Sequence, residues 1–90
     1  MAQTIILAAG TTATQSSDIV LTDGQTRTVA VFSAGAIPAG GFAVMLRSPG
    51  ADLLVATLTA SQPAVVLSGA GTFFVVRPLQ TVAVGVFTES

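Results

Sequence analysis

The sequence has 90 residues, of which 51% are hydrophobic and 8% are charged, with a formal net charge of -1 and neither cysteine nor histidine. Ordinary globular domains have about 25% charged residues, so this chain covers its surface with Thr, Ser, Gln and backbone, or with other proteins. The lack of cysteine excludes disulfides and thiolate metal sites. Its three scattered arginines do not form the clustered basic surface that nucleic-acid binding requires.

The apolar segments are short. The sequence contains no run of about 18 apolar residues, so we expect no transmembrane helix. The N-terminal stretch MAQTIILAAG has no basic residue before its apolar part, and that part is too short for a secretory signal peptide. We therefore expect a protein that is made in the cytoplasm and is not exported by a signal peptide.

Short apolar segments alternate with turn residues along the whole chain. Runs of β-branched and aromatic residues are separated by Gly, Pro, Asp and Ser, a pattern typical of strands and turns. The stretch 10–17 is predicted as a polar loop or a weak edge strand, and 34–41 as the longest loop. The predicted strands are 3–8, 17–22, 26–33, 42–48, 53–59, 64–68, 72–77 and 81–87.

This spacing of strands predicts an all-β fold. About eight short strands, with no helical periodicity, are typical of a two-layer sandwich or a small barrel. We expect a single domain over residues 1–90, an antiparallel β-sandwich or barrel with Greek-key or jelly-roll connections. Residues 1–16 either belong to this domain or form an N-terminal arm that adds a strand to the edge of a partner.

Several predicted strands are apolar on both faces. Alternate residues of a strand point to opposite faces, so a half-buried strand should have only one apolar set. Phe73 and Phe74 break this pattern, as do the segments 53–58 and 82–87. The second set is either partly exposed, as apolar atoms on protein surfaces often are, or packed against another protein. Its recurrence in three strands favours packing against another protein.

Few groups in the sequence are suited to catalysis. Its acids are Asp18, Asp23, Asp52 and Glu89, and no His, Cys, Lys or Tyr is present to act as a base. Asp52 with Asp18 or Asp23 is the one carboxylate pair to consider, but Asp23 and Asp52 lie in predicted turns. The sequence has no phosphate-binding glycine motif and no carboxylate cluster for a metal ion. We expect a non-enzymatic protein without cofactor, metal ion or small-molecule substrate.

The three arginines are the best candidates for specific contacts. We expect Arg27 to pair with Asp18 or Asp23 across the Asp-Gly turn. Arg47 and Arg77 each end an apolar strand near a proline, and arginine stacks on aromatic rings and binds carboxylates or backbone carbonyls. For these two arginines, a subunit interface and an internal ion pair or solvated strand end remain open. The candidate interface residues are Arg77, Arg47, Phe73, Phe74, Phe87 and Val82.

Glycine and proline punctuate the C-terminal part of the chain. Pro78 cannot donate a ladder hydrogen bond, so it indicates a strand end or an edge. Gly85 lies inside the last predicted strand and indicates a bulge or a close backbone approach.

The C-terminal sequence GTFFVVRPLQTVAVGVFTES resembles the ending of small all-β proteins encoded among bacteriophage virion genes. Members of this group often close with a glycine turn, a VVRP-like strand end and a VGVF strand. The earlier stretch AQTIILAAGTTATQSSDIVLTDGQTRTVAVFSA is similar to the same group. The resemblance implies a phage structural protein located in the virion and made in the bacterial host.

The resemblance also implies a role and a set of partners. The role is that of a capsid decoration or cement protein that oligomerises and binds the capsid lattice, or of a small neck or tail component. The partners are further copies of the chain and other virion proteins such as the major capsid protein. A carbohydrate- or surface-binding module is the alternative outside this class, and the absence of Trp, Tyr and Asn counts against it.

Overall fold

The computed structural model describes residues 3–33 and 41–89. The regular secondary structure within these two ranges consists of β-strands. The predicted segments 26–33 and 64–68 are confirmed with the same bounds, whereas residues 34–40 of the predicted loop lie outside the described residues. The strands are β1 (Gln3–Gly10), β2 (Thr14–Gln15), β3 (Ile19–Leu21), β4 (Thr26–Ser33), β5 (Phe42–Leu46), β6 (Leu53–Leu58), β7 (Ala64–Ser68), β8 (Gly71–Arg77) and β9 (Val84–Glu89).

The strands form two antiparallel sheets. Sheet A has the strand order β1-β9-β4-β7. In sheet B, β2 and β3 both pair with one side of β8, and β5 and β6 follow on its other side. With β2 and β3 counted as one interrupted strand, this is the strand order of a jelly roll. The predicted all-β sandwich is therefore confirmed, and the described sheets do not close into a barrel.

The hydrophobic core lies between the two sheets. In β3, Ile19 and Leu21 are buried in this core while Val20 between them is 60% exposed, because alternate residues of a strand point to opposite faces. Removal of these apolar side chains from water is the main force that holds the sheets together. The side chains that are most completely buried are Phe42, Val44, Leu58 and Val75 from sheet B and Val29, Val84 and Val86 from sheet A.

The central strand β8 is buried on both of its faces. Phe73 and Val75 point into the core, whereas Phe74 points away from it and is nevertheless buried. The doubly apolar pattern of this strand is thus accommodated within the chain itself. The pattern of β6 has a different outcome, since Leu53, Leu54 and Val55 at its start are all exposed.

The described part of residues 1–16 belongs to the sandwich. β1 pairs with β9 at one edge of sheet A, and β2 pairs with β8 at one edge of sheet B. This part is therefore an edge of the fold and not a free arm. The pairing of β1 with β9 has register shifts between Ile5 and Leu7 and between Leu7 and Gly10.

Candidate functional site

The side chain of Arg77 is enclosed between the two sheets. It is 4% exposed. Its Nε donates a hydrogen bond to the carbonyl of Thr12 at 2.8 Å. Its Nη1 donates to the carbonyls of Ala8 and Val84, both at 2.9 Å, and its Nη2 donates to the hydroxyl of Thr12 at 3.2 Å. The guanidinium of a sheet B residue thereby binds both β1 and β9 of sheet A and the connection from β1 to β2.

This arrangement gives Arg77 a role inside the fold. No carboxylate contacts its guanidinium within the described residues, so backbone carbonyls supply most of its acceptors. Gly10 lies directly against it, because a Cβ at that position would be 3.0 Å from Nη2. The placement differs from the predicted subunit boundary and from the predicted ion pair: the guanidinium is surrounded by its own chain and is not available to a partner.

The other five predicted interface residues differ in exposure. Phe73 and Phe74 are buried within the chain, on opposite faces of β8. Phe87 is half-buried, Arg47 is exposed, and Val82 is exposed in the segment before β9. The side chains of three of these residues are therefore accessible to a partner protein: Arg47, Phe87 and Val82. That they contact a partner stays a prediction.

Arg47 covers the ring of Phe74 on the outer side of sheet B. Its Cζ lies 4.2 Å from the ring centroid, a cation–π geometry. Its Nη2 and Nε donate to Oδ1 of Asp18 at 2.9 and 3.2 Å, and its Nη1 lies 4.0 Å from Oδ2 of Asp52. The hydrogen bond to Asp18, helped by the charges of both carboxylates and opposed by desolvation, raises the pKa of Arg47 above its usual value.

The two carboxylates at Arg47 are those considered above as a catalytic pair. Both lie beside one guanidinium, whose single positive charge offsets one of their two negative charges. The described residues contain no group of three or more His, Cys, Asp or Glu side chains that could hold a metal ion.

Arg27 does not form the predicted ion pair with Asp18, because Asp18 binds Arg47 instead. No ion pair to Asp23 is found among the described residues either. Arg27 lies opposite Leu67 in the ladder of β4 and β7, which directs its side chain to the inner face of sheet A. Its Nε is buried and has no hydrogen-bond partner in the described part of the chain.

The outer face of sheet A is an open apolar surface, which we call the A face. Ile5, Phe32 and Phe87 line a pocket of about 220 Å³ together with Gln3. The two phenylalanine rings are 6.0 Å apart and tilted by 57°. At one end of the pocket, Nε2 of Gln3 donates to Oε1 of Glu89 at 3.1 Å. Val66 lies on the same face, on the edge strand β7 at the opposite edge of the sheet from β1, and completes the A face.

Gly85 allows the ring of Phe32, which lines the pocket, to lie close to the backbone of β9. A Cβ at this position would lie 2.4 Å from Cζ of Phe32 and 2.7 Å from the carbonyl oxygen of Leu7. The ring of Phe32 therefore rests on bare backbone of β9. The close approach predicted for Gly85 is confirmed.

Most of the exposed apolar side chains were not predicted as interface residues. The sequence pattern alone does not show which of two apolar sets will face water, because this depends on how the sheets stack. Val82 is the one that was predicted. Among the described residues, the large hydrophobic side chains that are exposed are those of Ile5, Val20, Leu53, Leu54, Val55, Val66, Leu79 and Val82.

Comparison with known proteins gives no relative. No protein-family model, no curated protein and no solved structure matches this chain. Among the described residues, no helix is long and apolar enough to cross a membrane.

Proposed function

We propose that the chain is a non-enzymatic structural protein of a bacteriophage virion, a capsid decoration or cement protein that binds the capsid lattice and associates with further copies of itself. The observation that carries the binding role is the open apolar A face. The virion role is supported by the resemblance of the sequence 71–90 to small proteins encoded among phage virion genes.

Both outer faces expose apolar side chains, such as Ile5 on the A face and Val20 on sheet B, but their aromatic rings differ in how they are covered. On sheet B, the large ring of Phe74 is already covered by Arg47, whose charge is held by Asp18. On the A face, the rings of Phe32 and Phe87 border a pocket that stays open. Soluble monomers seldom expose large contiguous apolar patches, and such patches often mark interaction sites.

The dimensions of the molecule allow an interface of ordinary size. The molecule measures 36 × 33 × 21 Å, so a sheet face is one of its two broad sides. A standard interface buries about 800 Å² on each partner, which a surface of this width accommodates. On a capsid the same contact is repeated many times, and linked repeats strengthen binding when each single contact is modest.

The jelly-roll order is compatible with this role but does not select it. Jelly rolls occur in viral capsid domains and in lectins alike, and a fold by itself does not define a function. The pocket on the A face favours protein over sugar because its polar groups are few. Gln3 is the one polar residue that lines it, and its amide is bound by Glu89.

Replacement of Ile5 by lysine tests the A face. Ile5 is 64% exposed, and the matched control residue Val20 on sheet B is 60% exposed. A lysine at either position keeps the fold, since both side chains already face water. We expect Ile5→Lys to weaken binding to capsids that lack the chain by about tenfold or more, because a charge enters an apolar contact. Val20→Lys should bind as the parent does in the same co-sedimentation titration.

Two results would contradict the proposal. Mass spectrometry that finds no copy of the chain in purified particles rejects the virion role, and its presence in tails but not in capsids would instead identify a neck or tail component. Equal binding by the Ile5→Lys and parent chains rejects the A face as the contact surface.

A further inference from the structure

Within the described ranges 3–33 and 41–89, the strand β7 is a regular edge of sheet A that has no strand on its second side. It pairs with β4 on one side, without a register shift over its five residues. The same register continues one pair further, where the N–H of Val31 donates to the carbonyl of Pro63 at 3.0 Å. Hydrogen-bonded and non-bonded pairs alternate in an antiparallel ladder. The backbone N–H and C=O groups that point away from β4 are therefore those of Ala64, Val66 and Ser68.

The other described edges are interrupted. The ladder of β1 has two register shifts, and the carbonyl of Ile6 accepts a hydrogen bond from the N–H of Ser17. The pairing of β6 with β5 shifts register between Val44 and Met45. β2 and β3 have two and three residues. Short strands, bulges, charges and prolines protect sheet edges from pairing, and β7 has neither a bulge nor a charge nor an internal proline.

We propose that β7 pairs antiparallel with β7 of a second copy, around a two-fold axis at Val66. In this register, Val66 lies opposite the partner's Val66, and Ala64 lies opposite the partner's Ser68. Each of these opposed pairs exchanges two backbone hydrogen bonds, so all the outward groups of the strand are used. The two four-stranded A sheets become one continuous sheet.

A second copy suits this edge because the strand is complementary to itself. A two-fold interface brings the same surface of both subunits together, so it excludes like charges near the axis. β7 is uncharged. Val66, which is 62% exposed in the single chain, gains an apolar cross-strand neighbour in the partner's Val66.

The pairing deepens the proposed function and rests on the self-association that it includes. The continuous sheet places two A faces side by side, and a dimer of this kind binds a lattice through two linked contacts. An interface built on one five-residue strand is smaller than the roughly 1,200 Å² that separates stable from transient contacts. The free dimer is therefore weak, and its fraction rises with protein concentration.

Cysteine cross-linking tests the pairing, because the chain has no cysteine of its own. Opposed Cα atoms of a hydrogen-bonded pair are about 5.5 Å apart, which is within the usual range for a disulfide. We expect Val66→Cys to form disulfide dimers at least about tenfold faster than Ile5→Cys, owing to the high local concentration of paired thiols. Ile5 is the matched control, because it is as exposed as Val66 and lies on the same face.

The register is tested with two further variants. Ala64→Cys and Ser68→Cys should each cross-link slowly when alone and rapidly when mixed, because each residue lies opposite the other across the axis. Rapid cross-linking of either variant with itself would overturn the proposed register.

A variant that blocks the edge strand tests whether this pairing produces the dimer seen by sedimentation. Val66→Lys places two positive charges at the axis and should sediment as a monomer where the parent and Val20→Lys show a concentration-dependent dimer. A parent that stays monomeric at all concentrations, with Val66→Cys no faster than Ile5→Cys, overturns the pairing. If the parent stays monomeric but still binds particles, the proposed virion role is unaffected. If the β7-linked dimer forms but the protein is absent from particles, only the virion role is overturned.

Discussion

Arg77→Met is expected to lower the free energy of unfolding by about 3 kcal/mol or more, and the midpoint of thermal unfolding by about 12 °C or more. Methionine keeps an unbranched apolar stem but has no donors. The carbonyls of Ala8, Thr12 and Val84 then lose the guanidinium that satisfies them. A buried acceptor left unpaired costs about 1–3 kcal/mol, and water entering this end of the sandwich relieves part of that cost. Chemical denaturation followed by circular dichroism measures the change.

Two variants separate this effect from a general loss of charge. Arg47→Met removes an exposed guanidinium, so the free energy of unfolding should change much less. Arg77→Lys keeps the positive charge, yet an ammonium group lacks the planar fork that reaches acceptors on three sides. The free energy of unfolding of Arg77→Lys should fall between those of the parent and Arg77→Met. The interpretation fails if Arg77→Met is as stable as the parent, since the cost of burying a charge would then equal what its hydrogen bonds contribute.

Local patterns allowed the strands to be predicted well. β4 and β7 were placed with the same bounds because a clear turn residue flanks each of them. The Asp-Gly turn before β4 is one example: Gly24 has a φ of +84°, a conformation that glycine adopts at little cost.

Contacts between distant parts of the chain could not be read from these patterns. The partners of Arg77 on β1 and in the connection after it lie 65 to 69 residues away, and no local signal links them. The same limit explains Phe74. It belongs to the second apolar set of its strand, and the sequence pattern favoured packing of that set against another protein. Arg47, which directly follows the neighbouring strand β5, covers it instead, and only the register of β5 with β8 brings the two residues together.

The sequence predicted that apolar side chains would be exposed, but it did not predict most of the positions at which they are exposed. The doubly apolar strands and the scarcity of charge indicated exposed apolar surface. The structure has it at residues 53–55 of one such strand, and also at Ile5 and Val66 in strands that the pattern did not single out. Which of two apolar sets becomes exposed depends on the jelly-roll order, because that order decides which sheet face turns toward the core. The strand β8, inside its sheet, is buried on both faces, whereas the edge strand β7 is buried on its inner face and exposed on its outer face.

Gly85→Ala is expected to lower the free energy of unfolding by about 2 kcal/mol, as overpacking of a filled site does. In an open strand the same change would raise stability by about 0.5–1 kcal/mol, because alanine restricts the unfolded chain. At this site the new methyl group would overlap the ring of Phe32 and the carbonyl oxygen of Leu7. The ring can rotate, but the carbonyl belongs to the backbone of β1, so β1 must move away from β9. Thermal unfolding measures the loss.

Gly41→Ala is the matched control. Its Cβ would also meet a close atom, Cγ2 of Thr57 at 2.8 Å, but this is the end of an exposed side chain that can turn aside. Phe32→Ala should cost less stability when Gly85→Ala is already present, since the first change removes one of the two overlaps created by the second. Equal costs of Phe32→Ala in both backgrounds would show that the ring does not rest on Gly85. The pocket of the A face would then need another explanation, because that contact between Phe32 and Gly85 sets the depth at which the ring lies.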